Sequence, residues 1–376
     1  MSKVRFGDVA SRLNIKVDQA NTDLEYYIGG EHIESSEFMI HNRAPIKGST
    51  IGYQFQFGFR KGDILFMTKN PHLRKASMVD FDGLCSIATF VIHTNDESIL
   101  LQDYLLIEMQ TDRFWDYCET HKSGGVNYFI NWGTLANYEL ELPPIEEQRQ
   151  LSEKLWAAYR LKESYRQLLK ATDEMVKSRF IEEFNNPEIP KVSMSELCTT
   201  FIDGDWIEAK DQSDSGYRLV QTGNVGVCEY VEKEEHARFV SEDTFKRLNC
   251  TEIHPGDILF SRLPDPIGRC CMIPQGFQKA ITAVDCTITR LKDNCLPEYL
   301  MVYTTTNMYS EQIKTCITGT TRQRISRGNL AKIQVPLPTT DCQQSFVNLV
   351  HQADKSKFEV KQAIEKIDTV MRSLLQ

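Results

Sequence analysis

Long hydrophobic runs are missing from this sequence. No stretch of the 376 residues approaches the roughly 18 apolar residues that a membrane-spanning helix needs. The opening residues, MSKVRFGDVASRLN, hold no apolar signal-peptide core, so the chain reads as a cytoplasmic protein with no membrane partner. Paired metal-binding cysteines are missing too. The 11 cysteines form no C-x-x-C pair, which removes the short-spaced thiolates of a tetrahedral zinc site. They read instead as reduced, mostly buried small hydrophobic residues, and a disulfide framework is not expected.

Excess positive charge is also lacking. The 43 basic residues are outnumbered by 52 acidic ones, for a net charge of -9. Bulk electrostatics therefore do not mark a nucleic-acid binder, and any DNA-binding surface must be local. Motifs for chemistry are scarce. There is no Asn-Pro-Pro-aromatic motif to hold an adenine amino group; NNPE at 185–188 is not one. Neither a glycine-rich turn suited to S-adenosylmethionine nor a P-loop lysine is found. DGDWIEAKD sets Asp203, Glu208 and Lys210 in an order resembling the acidic-acidic-lysine arrangement of magnesium nucleases. Such a site needs two carboxylates converging on the metal and an aspartate from a separate strand. The spacing here is too tight for that, and the metal reading is set aside.

What the chain does contain is a copy of itself. Residues 102–148 and 297–343, offset by 195, are identical at 12 of 47 positions. Chance would give about three, at roughly 6% per random pair. The identities include Tyr104/Tyr299, Gly124/Gly319, Ile130/Ile325, Gly133/Gly328, Leu135/Leu330, Pro143/Pro338 and Gln148/Gln343. Upstream, RKGDILFMTKN at 60–70 mirrors HPGDILFSRLP at 254–264. A repeat this long predicts two copies of one domain rather than a solenoid. GDILF reads as a turn feeding a strand, and SIATFVIHT (86–94) and DCTITRLK (285–292) read as strands. Residues 103–119 and 298–314 read as helices, and YELEL and KIQVPL as closing strands.

A long helix follows each closing strand. The first runs over 145–184, with Leu151, Leu155, Ala158, Leu161, Tyr165, Leu168 and Met175 as its apolar face, and stops near NNPEIP. The second, 341–376, carries a heptad seam: Phe346, Ala353, Val360, Ile367 and Leu374, interleaved with Val350, Lys357, Ile364 and Met371. Each helix is on the order of 50–60 Å long. They could pack separately on their own domains. Their length and matched positions favour packing against each other, antiparallel.

The GDILFSR, TGTTRQRISRGNLAKIQVPLP, LPPIEEQRQL and MVKSRFIEEF segments, in this twice-repeated order, resemble the specificity subunit of type I restriction-modification systems. The resemblance implies an α+β protein: two homologous mixed α/β target-recognition domains separated by a long antiparallel two-helix coiled coil. The expected boundaries are 1–143 for the first domain, 144–189 for the central spacer helix and linker, 190–339 for the second domain and 340–376 for the C-terminal helix. It also implies the role: each domain reads one half of a bipartite double-stranded DNA target, and the helices recruit two adenine methyltransferase subunits, which restriction subunits can join. No cofactor is expected in this chain, S-adenosylmethionine belonging to the methyltransferase partners, and no catalytic residue is expected.

Physical chemistry then picks the contacts. Phosphates want cations, guanine edges want arginine, and adenine edges want glutamine or asparagine. Thr320, Thr321, Arg322, Gln323, Arg324 and Arg327 gather such groups between two glycines, and Arg262 lies where the GDILF strand ends. In the first unit Lys69, Arg74 and Lys75 hold the corresponding exit, and GVNYFINW offers Asn127 and Tyr128 in place of arginines. Phe66 and Phe260 read as core, and His32 and Asn224 as loop-stabilising residues. A scaffold that grips only protein partners is the alternative, favoured slightly by the acidic balance.

Overall fold

The computed structural model describes residues 2–19, 21–319 and 323–376. Two compact units form, one from Met1–Arg166 with Lys361–Gln376, the other from Gln167–Val360. Each long helix therefore contributes part of its length to each unit, where the sequence-based boundaries set the helices apart from the domains.

Within the units the repeat is structural. In the first, Ala10–Leu13, Thr89–Thr94, Ile64–Met67 and Ala76–Met78 pair in that order as an antiparallel sheet. Cys198–Asp203, Cys286–Leu291, Ile258–Ser261 and Cys270–Met272 repeat the order in the second. A second sheet in each unit contains one parallel pair: Tyr26–Ile28 with Gly83–Ser86, and Tyr217–Val220 with Ala280–Thr282. The closing strands Glu139–Leu142 and Gln334–Pro336 pair antiparallel with Ser2–Arg5 and Lys191–Ser193, tying the end of each domain to its start.

The GDILF runs show why the motif recurs. Gly62 and Gly256 have φ of +93° and +89°, which glycine adopts without strain. The following aspartate closes the turn, accepting from Arg60 N–H at 2.7 Å (Asp63) and from His254 N–H at 2.9 Å (Asp257). Its other face anchors the neighbouring strand: Asp63 meets His93 at 2.9 Å, and Asp257 accepts two bonds from Arg290, at 2.8 and 2.7 Å. Phe66 and Phe260 behind these turns are fully buried.

Each of the two mid-domain helices expected from the sequence is broken once, giving Gln102–Glu108 and Asp112–Thr120, then Pro297–Thr304 and Asn307–Cys316. Thr111 and Thr306 stand at the breaks. Their hydroxyls donate to the carbonyls of Glu108 (2.8 Å) and Tyr303 (2.7 Å), a local bond that competes with helix continuation.

The long helices span Ile145–Phe184 and Thr340–Leu375, within a residue of expectation. Along the second, Phe346, Val350, Ala353 and Met371 are buried, and Lys357, Val360, Ile364, Ile367 and Leu374 are half-buried, so the heptad seam is the packed face. The helices run antiparallel. In the first unit Leu155, Trp156 and Tyr159 share a core with Met371, and in the second Phe180 and Phe184 share one with Phe346 and Val350. The polar lapse is satisfied, Lys357 bonding Asp173 at 2.9 Å and Asp354 at 2.8 Å.

The first helix corrects the expected face. Leu161, Leu168 and Met175 remain 46–48% exposed. Near Leu161 the packed face is taken by Trp156 and Tyr159, which pack on Phe38 with ring centroids 5.4 and 5.1 Å away. Lys162 is buried as well, held by Asp368 at 2.8 Å and Glu37 at 3.7 Å.

Candidate nucleic-acid interface

In the second unit a two-stranded hairpin pairing brackets the start of the glycine-bounded segment. Ile317–Thr318 pairs with Arg324–Ile325, and Gly319 turns at φ +96°. Thr320, Thr321 and Arg322 lie outside the described residues. The hairpin is nailed down by Ile325, whose side chain is fully buried and whose N–H donates to Arg262 O at 3.1 Å. Next, Ser326 caps the short helix Arg327–Ala331, accepting from Asn329 N–H at 3.1 Å. These anchors leave Gln323 and Arg324 exposed, and no described residue forms an ion pair with Arg324.

Arg262 differs from its expected role. Its side chain is only 12% exposed, donating from Nη2 to Val284 O at 2.6 Å. Its Nε lies 3.3 Å from Asp203 Oδ1, close enough for Coulomb attraction but not aligned as a hydrogen bond. Asp203 ends its strand and also accepts from Thr287 Oγ1 at 3.2 Å. Arg327 completes the group. It is 46% exposed, and its Nε is 3.9 Å from Asp203 Oδ2. Nearby, Arg269 holds the 263–266 loop with bonds to the carbonyls of Thr222, Val225, Leu263 and Pro266. Burial lowers the pKa of that guanidinium.

The first unit uses the same backbone with other side chains. Ser123 and Phe129 pair across the hairpin, and Ile130 N–H donates to Thr68 O at 3.0 Å, matching the Ile325–Arg262 bond. Asn70 N–H adds a bond to Tyr128 O at 2.9 Å. Asn127 and Lys69 are exposed, and Lys122 Nζ sits 4.3 Å above the half-buried Tyr128 ring. Arg74 and Lys75 are engaged internally, the first with Asp112 at 2.6 Å, the second with Gly30 O at 2.6 Å.

In each unit, then, the hairpin and the strand exit, far apart in sequence, meet through a backbone hydrogen bond that both units share. Sequence reasoning missed Asp203 as an arginine partner, having weighed it only as a metal ligand. Nothing in the local sequence signals that pairing, since its partners lie 59 and 124 residues away. Of the other two residues weighed with it, Glu208 pairs with Lys210 at 2.7 Å. Among the described residues no cluster of His, Cys, Asp or Glu is arranged to hold a metal. His32 and Asn224 accept the N–H groups of Gly29 (2.9 Å) and Gln221 (3.0 Å), the loop-stabilising role expected of them.

Comparison with known proteins fits this geometry. Residues 188–368 match a family model described as the type I restriction modification DNA specificity domain. That match spans just under half of the chain. The Escherichia coli type I restriction enzyme EcoDI specificity subunit is 27% identical over 153 residues, covering 38% of this chain and 31% of that protein. Two solved structures share the fold over 100% of this chain. One, from work on complex assembly and conformational transition of the type I R-M system, has a TM-score of 0.59 at 19% identity, covering 96% of its chain. The other, the S subunit of the M. genitalium type I restriction-modification system, has a TM-score of 0.51 at 13% identity, covering 94% of its chain. The family model covers most of the second unit, and the first unit repeats that unit's sheet order and hairpin anchoring.

Proposed function

We propose that this chain is the DNA-address subunit of a type I restriction-modification complex. Each unit reads one half of a bipartite double-stranded target, and the chain itself performs no catalysis. The observation that carries the reading is the duplicated hairpin, anchored to its strand exit in both units while Gln323 and Arg324 in one, and Asn127 and Lys69 in the other, stay exposed. Exposed cations and amides on a fixed backbone are what phosphate contact and base reading require. Arg74, Lys75 and Arg262 support those loops through their internal bonds.

The paired helices act as a ruler between half-sites and as the docking region for two adenine methyltransferase subunits, which carry S-adenosylmethionine. Exposed Leu168, Met175 and Phe358 on the helices fit a surface meant for protein partners. Lengthening both helices by whole turns is expected to widen the gap between half-sites, and an unchanged gap refutes the ruler.

The deciding experiment maps N6-methyladenine across the host genome with and without this gene. Loss of one bipartite motif with a fixed gap supports the address role. If no motif is lost and duplex binding by the purified chain does not fall with salt, the protein is a scaffold. Arg324→Ala is expected to weaken or relax one half-site only, by about 1–3 kcal/mol if it contacts a base edge. Equal damage at both half-sites points to misfolding.

A further inference from the structure

We propose that Asp203 is a positioning residue for sequence reading by the second unit. It aims Arg327 at the DNA, and the device has no counterpart in the first unit. The inference rests on the DNA-reading function above and assigns one element of its specificity.

A carboxylate is out of place on a surface meant for phosphates, because it repels them. Asp203 nevertheless sits at the end of the Cys198–Asp203 strand, beside Arg262, whose backbone carbonyl anchors the hairpin. Two guanidiniums share it, Arg262 at 3.3 Å and Arg327 at 3.9 Å. One negative charge against two positive ones leaves the group net cationic. The two arginines also differ in freedom. Arg262 is spent, with its Nη2 bonded to Val284 O and its side chain enclosed. Arg327 approaches the carboxylate through Nε, which leaves its paired Nη groups free to bond an acceptor bidentately. Holding an arginine by Nε lowers the rotamer entropy it must lose on binding.

Strand register identifies the corresponding positions in the first unit. Asp203 pairs with Thr287, which lies opposite Phe260, and Phe260 corresponds to Phe66, which lies opposite Phe90. Asn14, next after Leu13 opposite Val91, thus holds the place of Asp203. Thr68 replaces Arg262 as acceptor of the hairpin N–H. Trp132 replaces Arg327, and it packs edge-on against Phe6 and Phe90, at 6.1 and 5.8 Å. The clamp belongs to one half-site only.

The test is a selection from random-sequence duplexes by the full chain, comparing wild type, Asp203→Asn and Arg327→Lys, each checked for an unchanged melting temperature. Removing a negative charge strengthens non-specific retention on electrostatic grounds. If Asp203 positions Arg327, Asp203→Asn is expected to lose about tenfold discrimination at one or two positions of a single half-site, while total retention holds or rises. Arg327→Lys keeps the charge but not the planar fork, and is expected to lose discrimination at the same positions. It also serves as the readout if Asp203→Asn fails to fold. Recovery of the wild-type motif with undiminished information by both variants overturns the inference, as does a uniform loss of retention with the motif intact. A wild-type chain that enriches no sequence and shows no salt-dependent retention refutes instead the DNA reading beneath it.

Discussion

Gln343→Ala tests whether the glutamine shared by both long-helix entrances is a structural clasp. Gln343 is fully buried near the start of the second long helix. Its Oε1 accepts from Leu296 N–H at 2.9 Å, and its Nε2 donates to Asn294 O and Pro338 O, both at 2.9 Å. Gln148 makes the same three bonds, with Leu101 N–H at 3.1 Å, Ile99 O at 2.9 Å and Pro143 O at 3.0 Å. One side chain thus joins the helix entrance, the closing strand and the N-terminus of a mid-domain helix. Truncation leaves one donor and two acceptors without their partner. A group left unsatisfied in the interior costs about 1–3 kcal/mol, but these carbonyls lie near the surface, where water can partly replace the amide. The expected loss is about 2–3 kcal/mol. For a unit of this size that is a fall of roughly 4–12 °C in its own melting transition. Scanning calorimetry of the full chain is the assay, because two units need not unfold as one. Gln344→Ala, beside it but exposed, is the control and is expected to change stability by under about 0.5 kcal/mol. If Gln343→Ala and Gln344→Ala melt alike, the clasp argument is wrong.

Phe180 is fully buried and meets Phe184, Tyr299, Tyr303 and Phe346 with ring centroids 5.0–5.9 Å away. Phe180→Ala is expected to cost about 3–5 kcal/mol in equilibrium unfolding, and a cost under 1 kcal/mol would show that this cluster is not a core. Lys357→Leu replaces the polar lapse of the heptad seam. Since the Lys357–Asp173 pair is partly solvated, the change is expected to leave stability within about 1 kcal/mol or raise it; a loss above 2 kcal/mol by thermal melting contradicts that weighting.

Much of this architecture was legible because it is periodic or repeated. The seam from Phe346 to Leu374 follows from seven-residue spacing alone, and the equivalence of Ile130 and Ile325 from a fixed offset. The failures have physical causes. Leu161, Leu168 and Met175 have apolar spacing as regular as any in the chain, yet all three stay exposed, and beside Leu161 the packed face goes to Trp156, Tyr159 and the buried Lys162. Helical spacing says which residues share a face, not which of two faces wins the core. The break at Thr111 depends on a hydroxyl finding a carbonyl three residues back, and helix pattern is silent on it. The arginine cluster itself was visible, but its carboxylate partner was not, because strand register brings Asp203 to it.

The duplication separates two demands that a single surface cannot easily meet. The backbone must be fixed for a side chain to discriminate between bases, yet the side chains must vary for a new sequence to be read. In both units the hairpin is fixed by groups that say nothing about bases: a buried isoleucine, its N–H, a carbonyl on the strand exit and a capped short helix. The positions around these anchors are then free to diverge, and they have: Arg262, Arg327 and Asp203 in one unit correspond to Thr68, Trp132 and Asn14 in the other. A bipartite target with unlike halves is what such a pair of frames would read. The acidic balance of the whole chain limits non-specific attraction to nucleic acid, so on the proposed function sequence reading has to come from local groups such as the exposed cations at the hairpins.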